Sequence, residues 1–330
     1  MGYADLMNGN KKNILRQKAA SVAKVLQFAG PFLSYRLFGK TVPVLAGYKI
    51  THRCNLRCTH CPYWLRSGPE PTFEEVLDTM HRLRSMGARI IIFEGGEPLL
   101  WRDGNRGIKD VVWAARELFP CVCLTTNGTL SWQGLPLDRL WVSLDGPPYI
   151  HDRVRGKGTY SRVMRNLQQA PKSRPYVSTT ISTENADSIP KLVGLLLGVV
   201  DGITLQFYYP YDGLPDSLFL PHAERAMLLD QLMMMKRLGY PIMNSFASLE
   251  ELKRETWSCE AGLLANAEPD GTVLHGCYLK NRGPSECSMC GFAAHNEMTL
   301  AFRGNLESII AGMKVFFGNS YARSFSGETD

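Results

Sequence analysis

Three cysteines fall within eight positions of the stretch CNLRCTHCPYW: Cys54, Cys58 and Cys61, in a C-x3-C-x2-C spacing. Spacing this tight puts three sulfurs on one short loop, an arrangement of metal ligands rather than of core packing. A structural zinc site closes four ligands, usually from paired C-x2-C units, and this loop offers no fourth cysteine. Three thiolates on a cubane iron–sulfur cluster leave one iron corner open to bind something else. A second set, Cys259, Cys277, Cys287 and Cys290, ends in a C-x2-C pair and supplies the four thiolates that zinc or a 4Fe–4S cluster takes. The other two of the nine cysteines, Cys121 and Cys123, alternate with apolar residues in CVCLTT and read as buried strand residues.

The elements that must position these thiols alternate strand and helix from residue 46 onward. Strands are predicted at 46–51, 89–94, 121–126, 139–144, 176–181 and 202–209, β-branched and apolar as buried parallel strands are. Helices are predicted at 73–86, stopped by Gly87, then around 107–118, 159–169, 186–199 and 221–238. Right-handed βα units of this number curl into an open barrel. The expected fold is α/β: a partial (β/α)6 TIM-like barrel over 46–240, with a small cysteine-rich C-terminal extension at 241–318 and a polar tail at 319–330. The three-cysteine loop directly follows the first strand, at the end where barrels carry chemistry.

Further motifs follow the next strands in order: GGEP (95–98), TTNGT (125–129), SLDG (143–146) and HDRVRGKGTY (151–160). Together with the cysteine loop they resemble the radical S-adenosylmethionine (radical SAM) superfamily over residues 46–210. The resemblance implies a 4Fe–4S cluster on Cys54, Cys58 and Cys61 whose open iron is chelated by the amine and carboxylate of S-adenosylmethionine. It implies reductive cleavage of that cofactor to methionine and a 5′-deoxyadenosyl radical, which abstracts hydrogen from an unactivated carbon or adds to an sp² carbon. A one-electron donor such as flavodoxin or ferredoxin is implied as partner, and the first step needs no Ser/His/Asp machinery. By resemblance, Gly95 and Gly96 form the turn that meets the methionyl amine and Glu97 supplies an acceptor beside it. Asn127 orients the cofactor or caps a turn. Ser143 contacts ribose or carboxylate, and Arg155 binds the carboxylate, with Arg153 as a rival. His60 stands where relatives carry an aromatic residue near the adenine, with Tyr63 and Trp64 just beyond. Gln206, Tyr208 and Tyr209, ending the sixth strand, are candidates for the adenine or substrate wall, or simply for buried packing. The segment CEAGLLANAEPDGTVLHGC resembles the opening of the auxiliary-cluster extensions called SPASM and twitch, with Asp270-Gly271 as its tight turn. One residue more than usual separates Gly271 from Cys277. One auxiliary 4Fe–4S cluster, on Cys259, Cys277, Cys287 and Cys290, is implied.

The 330 residues carry a net charge of +6, with 45% hydrophobic and 21% charged residues, the balance of a globular protein with a substantial core. The basic excess is local. Residues 11–40 hold Lys11, Lys12, Arg16, Lys18, Lys24, Arg36 and Lys40 and no acidic residue. NILRQKAASVAKVLQF (13–28) has apolar residues at helical spacing before Gly30-Pro31 breaks it. Such a basic amphipathic segment over 1–45 either lies on an anionic membrane, at about 1 kcal/mol per Lys or Arg, or packs on the barrel with its lysines in water. Its layout resembles radical enzymes acting on membrane lipids, and it is too short for the peptide-recognition domain of peptide maturases. Met-rich stretches such as QLMMMKR (231–237) suit an apolar pocket or a core. The expected substrate is hydrophobic, in the lipid class. The alternatives are a peptide- or protein-modifying maturase of the SPASM/twitch type and a non-catalytic zinc-binding protein. No aromatic–basic interleaving points to nucleic acid. No run of about 18 apolar residues and no signal peptide are seen, so a cytoplasmic location is expected, with peripheral membrane contact through residues 11–40.

Overall fold

A computed structural model describes residues 23–169, 175–254, 257–279 and 285–318. The leader's Lys11, Lys12, Arg16 and Lys18 and the polar tail at 319–330 lie outside the described residues. Strand β1 (Leu45–Thr51) is buried along its whole length. Its side chains alternate: Ala46, Tyr48 and Ile50 join the main core under the helices, while Leu45 joins a smaller cluster inside the barrel. β2 (Ile90–Gly95), β5 (Cys121–Thr126), β6 (Arg139–Ser143), β7 (Tyr176–Ile181) and β8 (Gly202–Phe207) continue the sheet, every neighbouring pair parallel. A two-residue hairpin of β3 (Arg102–Asp103) and β4 (Arg106–Gly107) sits in the crossover after β2.

Described helices before the first strand and in its crossovers are α1 (Ala29–Phe38), α2 (Phe73–Met86) and α3 (Ile108–Leu118). They are followed by α4 (Pro148–Arg155), α5 (Thr159–Gln168), α6 (Ile189–Leu195) and α7 (His222–Arg237). Thr72 and Glu75 form a reciprocal capping box that starts α2, and Gly87 (φ 122°) stops it. Each fully buried Leu, Ile or Val of these faces contributes about 1.5–3 kcal/mol.

Two expectations about helices are corrected. Gly30-Pro31 does not break the leader: the chain turns at 27–28, and Pro31 sits in the first turn of α1, where a missing N–H costs no bond. The helix expected at 186–199 is half that length. Pro190 fixes its start within α6, and Gly198 (φ 75°) lies beyond its end.

The C-terminal segment is woven into the same sheet. β9 (Leu264–Ala267) pairs parallel with β1, and β10 (Val273–His275) pairs antiparallel with β9. The eight-stranded order is therefore β10-β9-β1-β2-β5-β6-β7-β8. On the other edge, the Gly291 carbonyl accepts the Phe207 N–H of β8 at 3.0 Å, so this segment reaches both sides of the open seam. After α8 (Phe246–Leu252), helices α9 (Ala293–Phe302) and α10 (Leu306–Phe317) pack across the barrel floor. Val315, Phe316 and Phe317 pack against Leu45, Ile90, Trp141 and Tyr176 there, beside the buried Cys121 and Cys123. Arg139, buried on β6, donates to the Val315 carbonyl at 2.7 Å, a cation at the negative end of a helix.

Candidate functional site

The three-cysteine loop leaves β1 at its C-terminal end and is held by the turn after β2. Gly96 N–H donates to Thr51 O and Glu97 N–H to Arg53 O, both at 2.8 Å. A Cβ on Gly95 would strike the Thr51 carbonyl, and one on Gly96 the Arg53 carbonyl. The side-chain-free turn thus admits the backbone that leads into the cysteine loop. Glu97 is fully buried and accepts from Leu99 N–H (3.1 Å), Thr126 Oγ1 (2.8 Å) and Asn127 N–H (2.7 Å). It knits GGEP to TTNGT. Burial pushes its carboxyl up to about 7 against the pull of those donors. Asn127 caps the turn, as one of its two expected roles requires, and also ties it to the cysteine loop. Its Oδ1 caps the turn at Thr129, and its Nδ2 donates to Asn55 Oδ1 at 2.8 Å and lies 4.0 Å from Cys54 Sγ.

Arg155, at the end of α4, is nearly buried and donates from Nε to Asp145 Oδ2 at 2.5 Å, with its NH1 4.0 Å from Cys58 Sγ. The rival Arg153 instead pairs with Glu184 in a half-exposed position. Burial would raise the Asp145 carboxyl, but Arg155 and His60 hold it below its ordinary value. Burial pushes His60 down to about 4, so it is a neutral ring 3.7 Å from Asp145. Burial likewise raises all three thiols, Cys58 to about 12, with Arg155 pulling against it. A buried thiolate set needs positive charge and N–H donors, and here Leu56 N–H, Asn127 and Arg155 surround it. The donor chemistry fits an anionic iron–sulfur centre. Among the described residues no three His, Cys, Asp or Glu side chains converge as tightly as the ligands of one metal ion. A cubane places each thiolate on a different iron and so spaces them.

Ser143 lies half-buried at the end of β6, and Gln206 on β8 donates to Thr180 Oγ1 at 3.4 Å. Tyr208 and Tyr209 behave as packing. The Tyr208 hydroxyl donates to Pro215 O, and the Tyr209 hydroxyl accepts from Glu286 N–H.

The second cysteine set also comes together. Cys290 is pushed up to about 12, chiefly by burial, and the Cys277, Cys259 and Cys287 thiols add to that rise. Beside it lies a residue the sequence reading missed. Arg225 of α7 is 1% exposed, donates from NH1 to Met289 O at 3.2 Å, and stacks over Phe207 and Phe219. Its Nε and NH2 have no hydrogen-bond partner among the described residues. A buried cation with two idle donors beside Cys290 fits an anionic four-thiolate centre. No local signal marks Arg225, because 65 residues of chain separate it from Cys290.

Residues 48–196 match the sequence model of the Radical SAM superfamily. The Fe-coproporphyrin III synthase of Methanosarcina barkeri is 30% identical over 175 residues, 48% of this chain and 42% of the relative. A GTP 3′,8-cyclase of Streptomyces coelicolor is 40% identical over 134 residues, 37% of this chain and 39% of the relative. The chain spans less than half the length of these curated relatives. Among solved structures, Streptococcus suis SuiB bound to S-adenosylmethionine superimposes with a TM-score of 0.59 at 13% identity, over 83% of this chain and 68% of that one. AnSMEcpe with bound AdoMet and a peptide gives 0.56 at 19% identity, over 80% and 83%. These likenesses are of fold: a partial barrel whose sheet is not closed.

Proposed function

Because the chain belongs to the radical SAM superfamily through residues 48–196, we propose that it is a radical SAM enzyme acting on an unactivated carbon of a hydrophobic substrate. The observation that carries this reading is the meeting of Cys54, Cys58 and Cys61 with Arg155, Asn127 and the Gly95–Glu97 turn at the C-terminal ends of the strands. When bound, a 4Fe–4S cluster with S-adenosylmethionine supplies one-electron cleavage to the 5′-deoxyadenosyl radical. The three cysteines hold that cluster and leave one corner free. Arg155, fixed by Asp145, meets the cofactor carboxylate, while Glu97 keeps the two turns in register. His60, neutral at physiological pH, offers a flat face toward the adenine. The buried Tyr63–Tyr278 bond covers the loop's inner side, and the ties of Arg66 to Asp212 and Glu268 brace its outer side. Cys259, Cys277, Cys287 and Cys290 hold an auxiliary 4Fe–4S cluster whose charge Arg225 offsets.

A hydrophobic substrate is favoured by a largely apolar cavity of about 510 Å³ inside the barrel, within the roughly 300–1,000 Å³ of small-molecule sites. A peptide substrate is the second reading. It is favoured by the fold shared with SuiB and anSMEcpe, both described with bound peptides. Iron and sulfide analysis of anaerobically reconstituted protein tests the cofactor assignment, with about eight irons expected for two clusters. The reduced three-cysteine cluster should change its paramagnetic resonance signal on adding S-adenosylmethionine. Stoichiometric zinc, or a signal indifferent to the cofactor, overturns the reading.

A further inference from the structure

The barrel cavity has two different ends. At the strands' C-terminal side it is lined by Glu94, Thr125, Ser178, Thr204 and Gln206, a polar ring beneath the turns that carry the candidate cofactor residues. Below that ring the wall is mostly hydrocarbon: Ile90, Ile92 and Trp141 from strands, Phe32 from α1, Met298 from α9 and Phe316 from α10; the polar liners Glu297, Asn244 and Ser308 are tied to Ser245 and Leu205. The lower end reaches the surface. Leu26 and Met313 both line the cavity, yet are 64% and 45% exposed. Further exposed apolar residues continue from this opening at helical spacing, Leu33 and Leu37 on α1 and Leu306 and Ile310 on α10. Lys40 and Lys314 stand exposed at the ends of the same two elements. Exposed apolar faces flanked by Lys40 and Lys314, with the exposed Glu307 at the far end of α10 bonded to Ala247 N–H, match the interfacial region of an anionic bilayer.

The polar ring does not call for a charged ligand group. Glu94 is already paired with Lys49, whose Nζ also lies 4.4 Å over the Tyr278 ring. A Cβ at position 47 would collide with Glu94, so Gly47 gives that carboxylate the room to cross to Lys49. With the inner charges satisfied and the wall apolar, an amphiphile is best accommodated with its head group left outside in water.

We propose that the lumen holds one hydrocarbon chain of a bilayer lipid, drawn in tail-first between α1 and α10 so that its far end lies beneath the polar ring. This rests on the hydrophobic-substrate reading above and narrows it: the carbon presented to the radical is remote from the head group, and the lipid comes from a membrane surface.

Trp141, in the lumen wall, reports directly on occupancy. Vesicles of phosphatidylcholine and phosphatidylglycerol carrying brominated chains are mixed with the full-length protein, and tryptophan emission is followed. Bromines near the chain terminus should quench several-fold more than bromines near the head group, and Trp141→Phe should remove that difference. Gly312 lines the cavity with open space where its side chain would be, so Gly312→Phe should block the mouth and cut the quenching while the other tryptophans still report a folded chain. Quenching that survives Trp141→Phe or Gly312→Phe, or that is strongest for head-proximal bromines, overturns the proposal. So does quenching by free brominated fatty acid but not by vesicles. None of these readouts needs cluster or cofactor, so the lumen proposal can fail while S-adenosylmethionine cleavage stands, and the reverse.

Discussion

The phenol oxygens of Tyr63 and Tyr278 stand 2.6 Å apart, linking the residue two places after Cys61 to the one directly after Cys277. Both rings are buried, Tyr63 N–H donates toward the Cys61 sulfur, and the Tyr278 hydroxyl donates onward to Tyr211 at 3.1 Å. The two cysteine sets are therefore mechanically coupled. A double-mutant cycle with Tyr63→Phe and Tyr278→Phe should give a coupling energy of about 0.5–1.5 kcal/mol in denaturant unfolding. Additive effects would mean the bond does not join the two regions.

Arg225 separates stability from metal retention. In the iron-free protein, Arg225→Met should be neutral or stabilising, since it removes a buried cation with idle donors. In the reconstituted protein the same change should lower iron from about eight toward about four per chain, the loss falling on the four-cysteine site. Unchanged iron content would show that the guanidinium serves packing alone.

Gly96 is where the second strand's turn touches the cysteine loop. Gly96→Ala pushes a methyl group into the Arg53 carbonyl and should cost about 1–3 kcal/mol, with loss of iron at the first site. Wild-type stability and iron in this variant would remove the claim that the turn sets the loop's position.

Glu97 gives the iron-free protein a pH signature. A carboxyl raised to about 7 binds its proton more tightly in the folded state, so its contribution to stability falls as pH rises from about 4.3 to about 7. His151, pushed down to about 4 by burial, acts oppositely, adding stability as pH rises through about 4 to about 6.5. The test is therefore a difference: Glu97→Gln should make the stability–pH slope over this window more positive than in the parent. An unchanged slope would contradict the raised carboxyl.

Much of this was legible in sequence because the signals are local. The cysteine spacing, the GGEP and TTNGT turns and the β5 and β7 limits each depend on a few adjacent residues. Arg155 was readable by its offset from SLDG. What stayed hidden depends on distant chain. β9, a four-residue LANA strand with no alternation, pairs with β1 across more than 200 residues. Arg225 meets Cys290, and Tyr63 meets Tyr278, only after folding. The lumen's mouth needs α1 and α10 together, from opposite ends of the described chain. For Tyr208 and Tyr209 sequence offers no choice between wall and packing, because an aromatic residue at a strand's end reads alike in both, and their hydroxyl bonds appear only in the fold.

The central claim is that Cys54, Cys58 and Cys61 support reductive cleavage of S-adenosylmethionine. Anaerobically reconstituted protein, given dithionite and S-adenosylmethionine, should release 5′-deoxyadenosine, and the variant with all three cysteines changed to Ala should release none. Equal release from both proteins, or none from a parent carrying its full iron, would contradict the account.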